Sequence, residues 1–234
     1  SLLDAGCGPG GGTWAAREAW SSIDDTRWLD ASAPFLELAD RLAAGAFQTH
    51  VTRGDLGSTQ AQPADLVLAS YALAEIAPAQ QEAVIGRLWD ATLGVLVLVE
   101  PGTPAGYARV LAARSALVAR GARLLAPCPH NDACPLTAPD WCHFTVRLAR
   151  SRDHKATKGV EAPFEDEPYA YLVAARPNVA GAPANARILA PPRAAKPGID
   201  LKLCTEAGLE RRFIARRDKT EHARARRLGW GDSL

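Results

Sequence analysis

Cys128, Cys134 and Cys142 lie within fifteen residues, and Cys204 follows more than sixty residues later. Thiolates are soft donors, and sulfur-rich tetrahedral sites take zinc or an iron–sulfur cluster. Prolines interrupt the surrounding stretch, from Ala126-Pro127-Cys128-Pro129-His130 through Cys134-Pro135-Leu136 to Trp141-Cys142-His143-Phe144. Something other than a backbone ladder must therefore hold it. Zinc sites usually pair cysteines two to four residues apart, whereas the gaps here are five and seven residues. The wider spacing favours a larger object such as a cluster, and zinc stays the alternative. His130 and His143 are further candidate ligands. The competing readings are ordinary buried thiols or a disulfide pair, the second disfavoured by the lack of a signal-peptide pattern.

A second set of chemistry-bearing residues opens the chain. Leu2 to Thr13 reads as the end of a buried strand, a glycine turn at Gly6, Gly8 and Gly10, and a helix opening near Gly12 or Thr13. Glycines there let backbone amides approach a ligand closely. Dinucleotide sites share that fingerprint, so the acids decide. Asp4 stands two residues before the first glycine, where a nucleotide carrying a cationic amino acid finds a carboxylate. Asp30 ends the expected second strand, at the distance of a ribose-binding acid. Together they favour S-adenosylmethionine over NAD. Asp55, after the expected third strand, is placed near the adenine, with helix capping or loop solvation as the alternative for both acids. Cys7 reads as a small filler inside the turn.

The elements that must position these groups alternate in the first half. Strands are expected at Thr26 to Leu29, Phe47 to Thr52, Asp65 to Ser70 and Gly94 to Glu100, with helices at Gln80 to Ala91 and Thr103 to Arg120. That is the rhythm of a parallel sheet with crossover helices, whose ligands sit at the carboxyl ends of the strands. Ser70, Tyr71, Glu100 and Pro101 are therefore expected to border the cofactor or substrate pocket. No Asn-Pro-Pro-Tyr follows the fourth strand, which argues against methylation of an exocyclic base amine. After Pro127 the pattern weakens, and Arg147 to Asp166 is polar and poorly periodic. Alternation returns at Tyr169 to Ala175, Arg187 to Leu189, Asp200 to Leu203 and Arg211 to Ala215, predicting a closing antiparallel part of the sheet or a small added β unit. Pro177 to Pro197 reads as a long loop.

The 234 residues are 47% hydrophobic and 23% charged, enough for one α/β domain with an appendage. No apolar run is long enough to span a membrane. The chain lacks methionine and opens inside its first strand, so a preceding segment is expected. Residues 1–127 carry 9 basic and 13 acidic side chains, whereas residues 128–234 carry 18 and 13. The excess peaks at Arg211, Arg212, Arg216, Arg217, Lys219, Arg224, Arg226 and Arg227, which suits RNA phosphates; a solvated basic tail is the bland alternative. Trp141 and Trp230 are candidates for base stacking or for packing.

Val99-Glu100-Pro101-Gly102-Thr103-Pro104, the cysteine-containing blocks, Glu165-Asp166-Glu167, Leu203-Cys204-Thr205 and Gly229-Trp230-Gly231-Asp232 together resemble the methyltransferase-like assembly factors of the mitochondrial small ribosomal subunit and their bacterial relatives. The resemblance runs nearly the whole chain. It implies a class I S-adenosylmethionine-dependent methyltransferase fold: a Rossmann-like seven-strand sheet, with a cysteine-rich metal-binding insertion and a basic C-terminal β/helix extension. It also implies a 4Fe-4S cluster on Cys128, Cys134, Cys142 and Cys204, and binding to small-subunit ribosomal RNA as a monomer. The location it implies is the cytoplasm of a bacterium or the mitochondrial matrix. Methyl transfer by such proteins is either real or dispensable to an assembly role. The expected division is a methyltransferase core over residues 1–125, a cluster-binding insertion over 126–168, and final strands plus RNA-binding extension over 169–234. S-adenosylmethionine is assigned to Asp4, Gly6, Gly8, Gly10, Asp30, Asp55, Ser70 and Tyr71.

No residue is an evident catalytic base, Tyr71 and Glu75 being the reachable ones. Pro127-Cys128 is reminiscent of cytosine-5 methyltransferases, whose cysteine attacks the base. Those cysteines follow the fourth or fifth strand directly, whereas Cys128 comes after a whole further helix.

Overall fold

The parallel strands are β1 (Leu2–Ala5), buried throughout, β2 (Thr26–Asp30), the largely exposed edge strand β3 (Thr49–Arg53), β4 (Ala64–Ser70) and β5 (Thr92–Pro101) in a computed structural model that describes residues 1–234. Helices α1 (Gly11–Ala19), α2 (Ala33–Ala43), α3 (Pro78–Asp90) and α4 (Pro104–Ala119) connect or follow them. After β6 (Arg123–Ala126), β7 (Phe144–Ala149) and α5 (Arg152–Lys158) comes β8 (Phe164–Ala175), a strand of 12 residues. The sheet order is β3-β2-β1-β4-β5-β8-β6, with β7 also paired to β8. Only β8 runs against the parallel strands, pairing antiparallel with β5, β6 and β7. Six parallel strands, β1 to β6, with antiparallel β8 inserted between β5 and β6 are the sheet of a class I methyltransferase, so the expected fold is the observed one.

Side-chain alternation explains how the sheet is covered. Leu3 and Ala5 of β1, Val67 and Ala69 of β4, Leu96 and Leu98 of β5 and Leu172 of β8 join Trp89 and Leu117 in one large core beneath α3 and α4. Leu2 and Leu68, on the opposite face, pack with Ala16 of α1 and with Ile23, and Trp28 packs with Leu36, Ala39 and Ala43 of α2. Each fully buried large side chain contributes roughly 1.5–3 kcal/mol. Helix starts are marked as their sequences require. The hydroxyls of Ser32 and Thr103 accept from the backbone N–H of Phe35 and Gly106, and proline occupies the first turn after each.

β8 is the element that the weak periodicity concealed. Its half from Tyr169 onward pairs with β5, while Phe164 to Tyr169 extends past the carboxyl end of β5 and pairs with β7 alone. Arg147 to Asp166, read as irregular, contains the second half of β7, all of α5 and the beginning of β8. Polar partners replace an apolar face there: Asp166 takes both arms of Arg147 at 2.7 and 2.8 Å, and Glu165 takes Arg150 and Lys158.

The remaining residues build a second, antiparallel sheet from β9 (Ala186–Ile188), β10 (Arg193–Ala194), β11 (Gly198–Thr205) and β12 (Gly208–Ala215), followed by α6 (Lys219–Ala225). Its own core is Ile188, Ile199, Leu201, Leu203 and Ala225. Both expected outcomes after Pro127 thus occur, a closing antiparallel strand and an added β unit. β9 falls on the alternation expected at Arg187 to Leu189, whereas β10 lies inside the stretch read as loop. No helix is long and apolar enough to cross a membrane.

Candidate functional sites: a glycine-turn cleft and a four-cysteine cavity

The turn between β1 and α1 bends where only glycine fits. Gly6 has φ 74°, and a Cβ there would meet the Cβ of Ala72 at 2.7 Å. Asp4 lies beneath the turn, 1% exposed. Its Oδ2 accepts from the Thr13 hydroxyl at 2.7 Å, and Thr13 Oγ1 accepts from the indole N–H of Trp28 at 2.8 Å. Burial raises the Asp4 carboxyl to about 6, with the Thr13 hydrogen bonds opposing and the Asp30 charge adding. Asp30 holds the turn from the other side: Oδ2 accepts from the N–H of Gly8 and Oδ1 from that of Ser32, both at 2.8 Å. Each carboxylate oxygen keeps a free lone pair for a ligand hydroxyl. Asp55 Oδ1 accepts from Gly57 N–H at 2.6 Å.

These groups open onto one cleft of about 430 Å³ at the carboxyl ends of β1, β2 and β4. Asp4, Gly6, Gly8, Asp30, Asp55, Ser70 and Tyr71 all line it, and Gly10 does not. Gly10 instead starts α1 in a left-handed conformation, where a Cβ would lie 3.5 Å from the Trp28 ring. The neighbours of β5 also differ from expectation. Neither Glu100 nor Pro101 reaches the cleft. Glu100 is wholly buried, accepting from Arg109 at 2.6 Å and from the N–H of Leu73 at 3.0 Å, so it is consumed in tying α4 to the segment after β4. Tyr71 sits at the rim with φ 58°, the only non-glycine residue with positive φ. Its hydroxyl is pushed up by burial and by the charge of nearby Glu167 of β8. Such strain is concentrated at functional positions. Glu75 lines the cleft as well.

The four later cysteines, scattered in sequence, are brought together. Cys128, Cys134 and Cys142 from the loop joining β6 to β7, and Cys204 from β11, line one small, largely apolar cavity. All four are free thiols, so the disulfide reading fails. His130 and His143 do not line the cavity. Burial pushes the thiols of Cys128, Cys142 and Cys204 up, Cys204 to about 11, with the neighbouring cysteines adding to the effect. No three Cys, His, Asp or Glu side chains close tightly around a single-ion position. The cavity also holds two residues that the sequence reading missed, both on α4 and seven apart, hence on one face. The Tyr107 hydroxyl lies 3.3 Å from Cys134 Sγ. Arg114 is 5% exposed; its Nε donates to Cys128 Sγ at 3.4 Å and its Nη2 to the carbonyls of His130 and Asp132. No carboxylate pairs with it. A buried cation without an anion is costly, and thiolates bound to a cationic metal centre carry the net negative charge that would offset it. The donor set therefore fits a thiolate-ligated centre, zinc or cluster, held by Cys128, Cys134, Cys142 and Cys204. The signal for Arg114 was a lone charge inside the apolar run from Val110 to Leu117.

Neighbouring contacts fix the loop to the rest. The Trp141 indole donates to the Gly102 carbonyl at 2.9 Å, stacks on His143, and His143 meets the edge of Trp230. Both tryptophans weighed for base stacking are thus occupied within the chain. Arg187 donates to the carbonyls of Pro127 and Gly231, and Lys202 pairs with Asp140. The Gly229 to Asp232 segment wraps β9, its Asp232 carbonyl and Gly231 N–H bonding to Ile188.

The eight basic residues from Arg211 to Arg227 are all exposed but occupy separate places. Arg211 and Arg212 point to opposite faces of β12, pairing with Asp200 and Glu210. Arg216 and Arg217 lie in the following turn, and Lys219, Arg224, Arg226 and Arg227 lie on or just after α6.

The family described as Mitochondrial small ribosomal subunit Rsm22 matches this sequence over residues 1–234. The chain belongs to the Rsm22 family. A human relative, the mitochondrial ribosome assembly protein METTL17, is 32% identical over 163 residues, covering 62% of this chain and 36% of that protein. This Rsm22-family chain thus aligns with little more than a third of that relative's length. Among solved structures, magnesium protoporphyrin IX methyltransferase of Synechocystis with bound S-adenosylmethionine is 17% identical over 75% of this chain and 69% of its own, with a TM-score of 0.48. A putative RNA methyltransferase of Pyrococcus horikoshii is 10% identical over 75% of this chain and 72% of its own, with a TM-score of 0.49.

Proposed function

We propose that this Rsm22-family protein is an S-adenosylmethionine-binding assembly factor of the small ribosomal subunit, held in shape by a 4Fe-4S cluster and bound to ribosomal RNA through its basic C-terminal part. The observation that carries the reading is the convergence of four thiols from distant segments on one cavity, beside a buried arginine that no carboxylate neutralises. The five- and seven-residue gaps separating Cys128, Cys134 and Cys142, wider than the usual zinc pairs, support a cluster over zinc. The human relative's name, a mitochondrial ribosome assembly protein, supports the ribosomal role. The cluster's work is structural here: it ties the β6–β7 loop to β11 and so fixes the basic sheet against the methyltransferase core.

In the cleft, S-adenosylmethionine supplies a methyl group on a sulfonium centre. Asp4 and the amides of the glycine turn hold its amino-acid part, Asp30 the ribose, and Asp55 the adenine side. A second reading, active methylation of ribosomal RNA, is favoured by the strained Tyr71 at the cleft rim. Turnover on small-subunit RNA that disappears in Tyr71→Phe separates it from a purely binding role.

Anaerobic purification with iron, sulfide and zinc analysis tests the main reading. About four irons and four sulfides per chain are expected, falling sharply in Cys134→Ser and Cys204→Ser, while S-adenosylmethionine binding is less affected. One zinc per chain, or equal iron in wild type and both variants, would overturn the ligand assignment.

A further inference from the structure

β12 is the outer strand of the small sheet, paired only with β11. In an antiparallel pair, residues directly opposite share a face. Phe213 faces Asp200, Arg211 faces Lys202 and Leu209 faces Cys204, while Arg193 of β10 faces Asp200 from the other side. One face therefore runs from the cysteine cavity at Cys204 out to Phe213. The opposite face carries Ile199, Leu201 and Leu203 into the small core. Nothing in the chain covers the outer end, where Phe213 is 55% exposed and Arg211 and Arg193 lie open to solvent.

Gly198 explains how the ring lies. A Cβ at Gly198 would meet Phe213 Cζ at 2.7 Å, so the ring reaches across the strand and rests where the missing side chain would stand. The tip of the phenyl is thus held against the sheet while just over half of the residue, 55%, stays open to solvent. Exposure of one phenylalanine is ordinary in itself; what distinguishes Phe213 is its setting among cations. Around it, Arg193, Lys196, Arg211 and Arg216 outnumber Asp200. An open aromatic face ringed by cations matches a nucleobase with its flanking phosphates, and every base has a π-face.

We infer that Phe213, seated over Gly198 and flanked by Arg193 and Arg211, is a stacking platform for one unpaired nucleotide of RNA. The inference rests on the RNA-binding reading above and deepens it. Contact with phosphates alone would use the arginines of α6 and leave Phe213 idle. Stacking makes the protein distinguish single strands or splayed loop bases from duplex, since a paired base keeps its faces covered.

The test uses the full chain with its metal centre and a single-stranded RNA of mixed sequence, about twelve nucleotides long, compared with its duplex by fluorescence anisotropy over a range of salt. Phe213→Ala and Phe213→Leu are expected to weaken single-strand binding about five- to a hundredfold. The salt slope and duplex affinity stay unchanged, and Phe213→Tyr restores binding. Leucine keeps the apolar bulk without the ring, so it separates stacking from mere burial. Unaltered thermal unfolding and iron content show that the variants are folded. Salt-sensitive binding that is equal in wild type, Phe213→Ala and Phe213→Leu overturns the platform and leaves the RNA reading standing. No salt-sensitive binding by wild type overturns both. Loss of self-association in Phe213→Ala, with RNA affinity retained, would give this face to a protein strand and overturn the platform.

Discussion

The cleft and the cysteine cavity solve opposite problems. At the cleft, the polar groups already satisfy one another: Asp4 with Thr13 and Trp28, Asp30 with Gly8 and Ser32. Its shape is a property of the backbone, set by residues close in sequence. At the cavity, the groups leave a debt: raised thiols, and a buried guanidinium with only carbonyls and one sulfur for partners. On the function proposed above, the first site suits a ligand that comes and goes and the second a group that stays.

The comparison breaks most readily at Arg114. With a thiolate-bound centre in place, Arg114→Met should lower the unfolding free energy by about 3 kcal/mol, because it leaves buried negative charge unpaired. In metal-free protein the same change should be neutral or stabilising, since an unpaired cation is removed. Urea unfolding of both forms reads the sign, and equal losses in the two would mean that Arg114 answers no anion. Asp4 offers the next largest effect. Its carboxyl is raised from 3.8 to about 6 in the folded protein, so the folded state prefers the protonated form. Stability from this group is present at low pH and lost as pH rises from about 4 through 6, by up to about 3 kcal/mol. Asp4→Asn should flatten that slope in urea unfolding followed from pH 4 to 7.

A smaller loss is expected at Gly6, where Gly6→Ala forces a left-handed alanine against Ala72. It should cost about 2 kcal/mol and reduce calorimetric S-adenosylmethionine affinity at least about tenfold, leaving iron content unchanged. Parallel loss of iron would show that the two sites are not separable. Trp141→Phe, which removes the bond to the Gly102 carbonyl, should cost about 1 kcal/mol in urea unfolding. A null result there would mean that the loop is held by its cysteines alone.

How legible each site was follows from the same contrast. The strand, turn and helix around Gly6 are contiguous, and their glycine and acid spacing read directly. Thr13 as the partner of Asp4 follows from that helix too, but only the fold shows Trp28 beneath it. The four cysteines were visible as residue types, yet their meeting depends on β11 arriving beside the β6–β7 loop, which no local pattern encodes. Glu100 was misplaced because a conspicuous acid at a strand end suggests a ligand, while its partner Arg109 sits a helix turn and a half into α4. The basic run from Arg211 to Arg227 read as one patch, and strand alternation divides it. β7 was lost because it is short and exposes the apolar Val146 and Leu148 as well as the charged Arg147, which blurs its alternation, and its partner strand is nearly twenty residues on.

Strand β8 carries an implication for how such a protein can be cut. It lies between β5 and β6, and its free end carries β7, so the last internal strand of the parallel sheet arrives after the cysteine loop has been made. A fragment ending before Phe164 would leave the Leu96 and Leu98 edge of β5 unpaired and β6 without a neighbour. During synthesis, the Leu96 and Leu98 edge of β5 therefore stays open until β8 has emerged, after the cysteine loop.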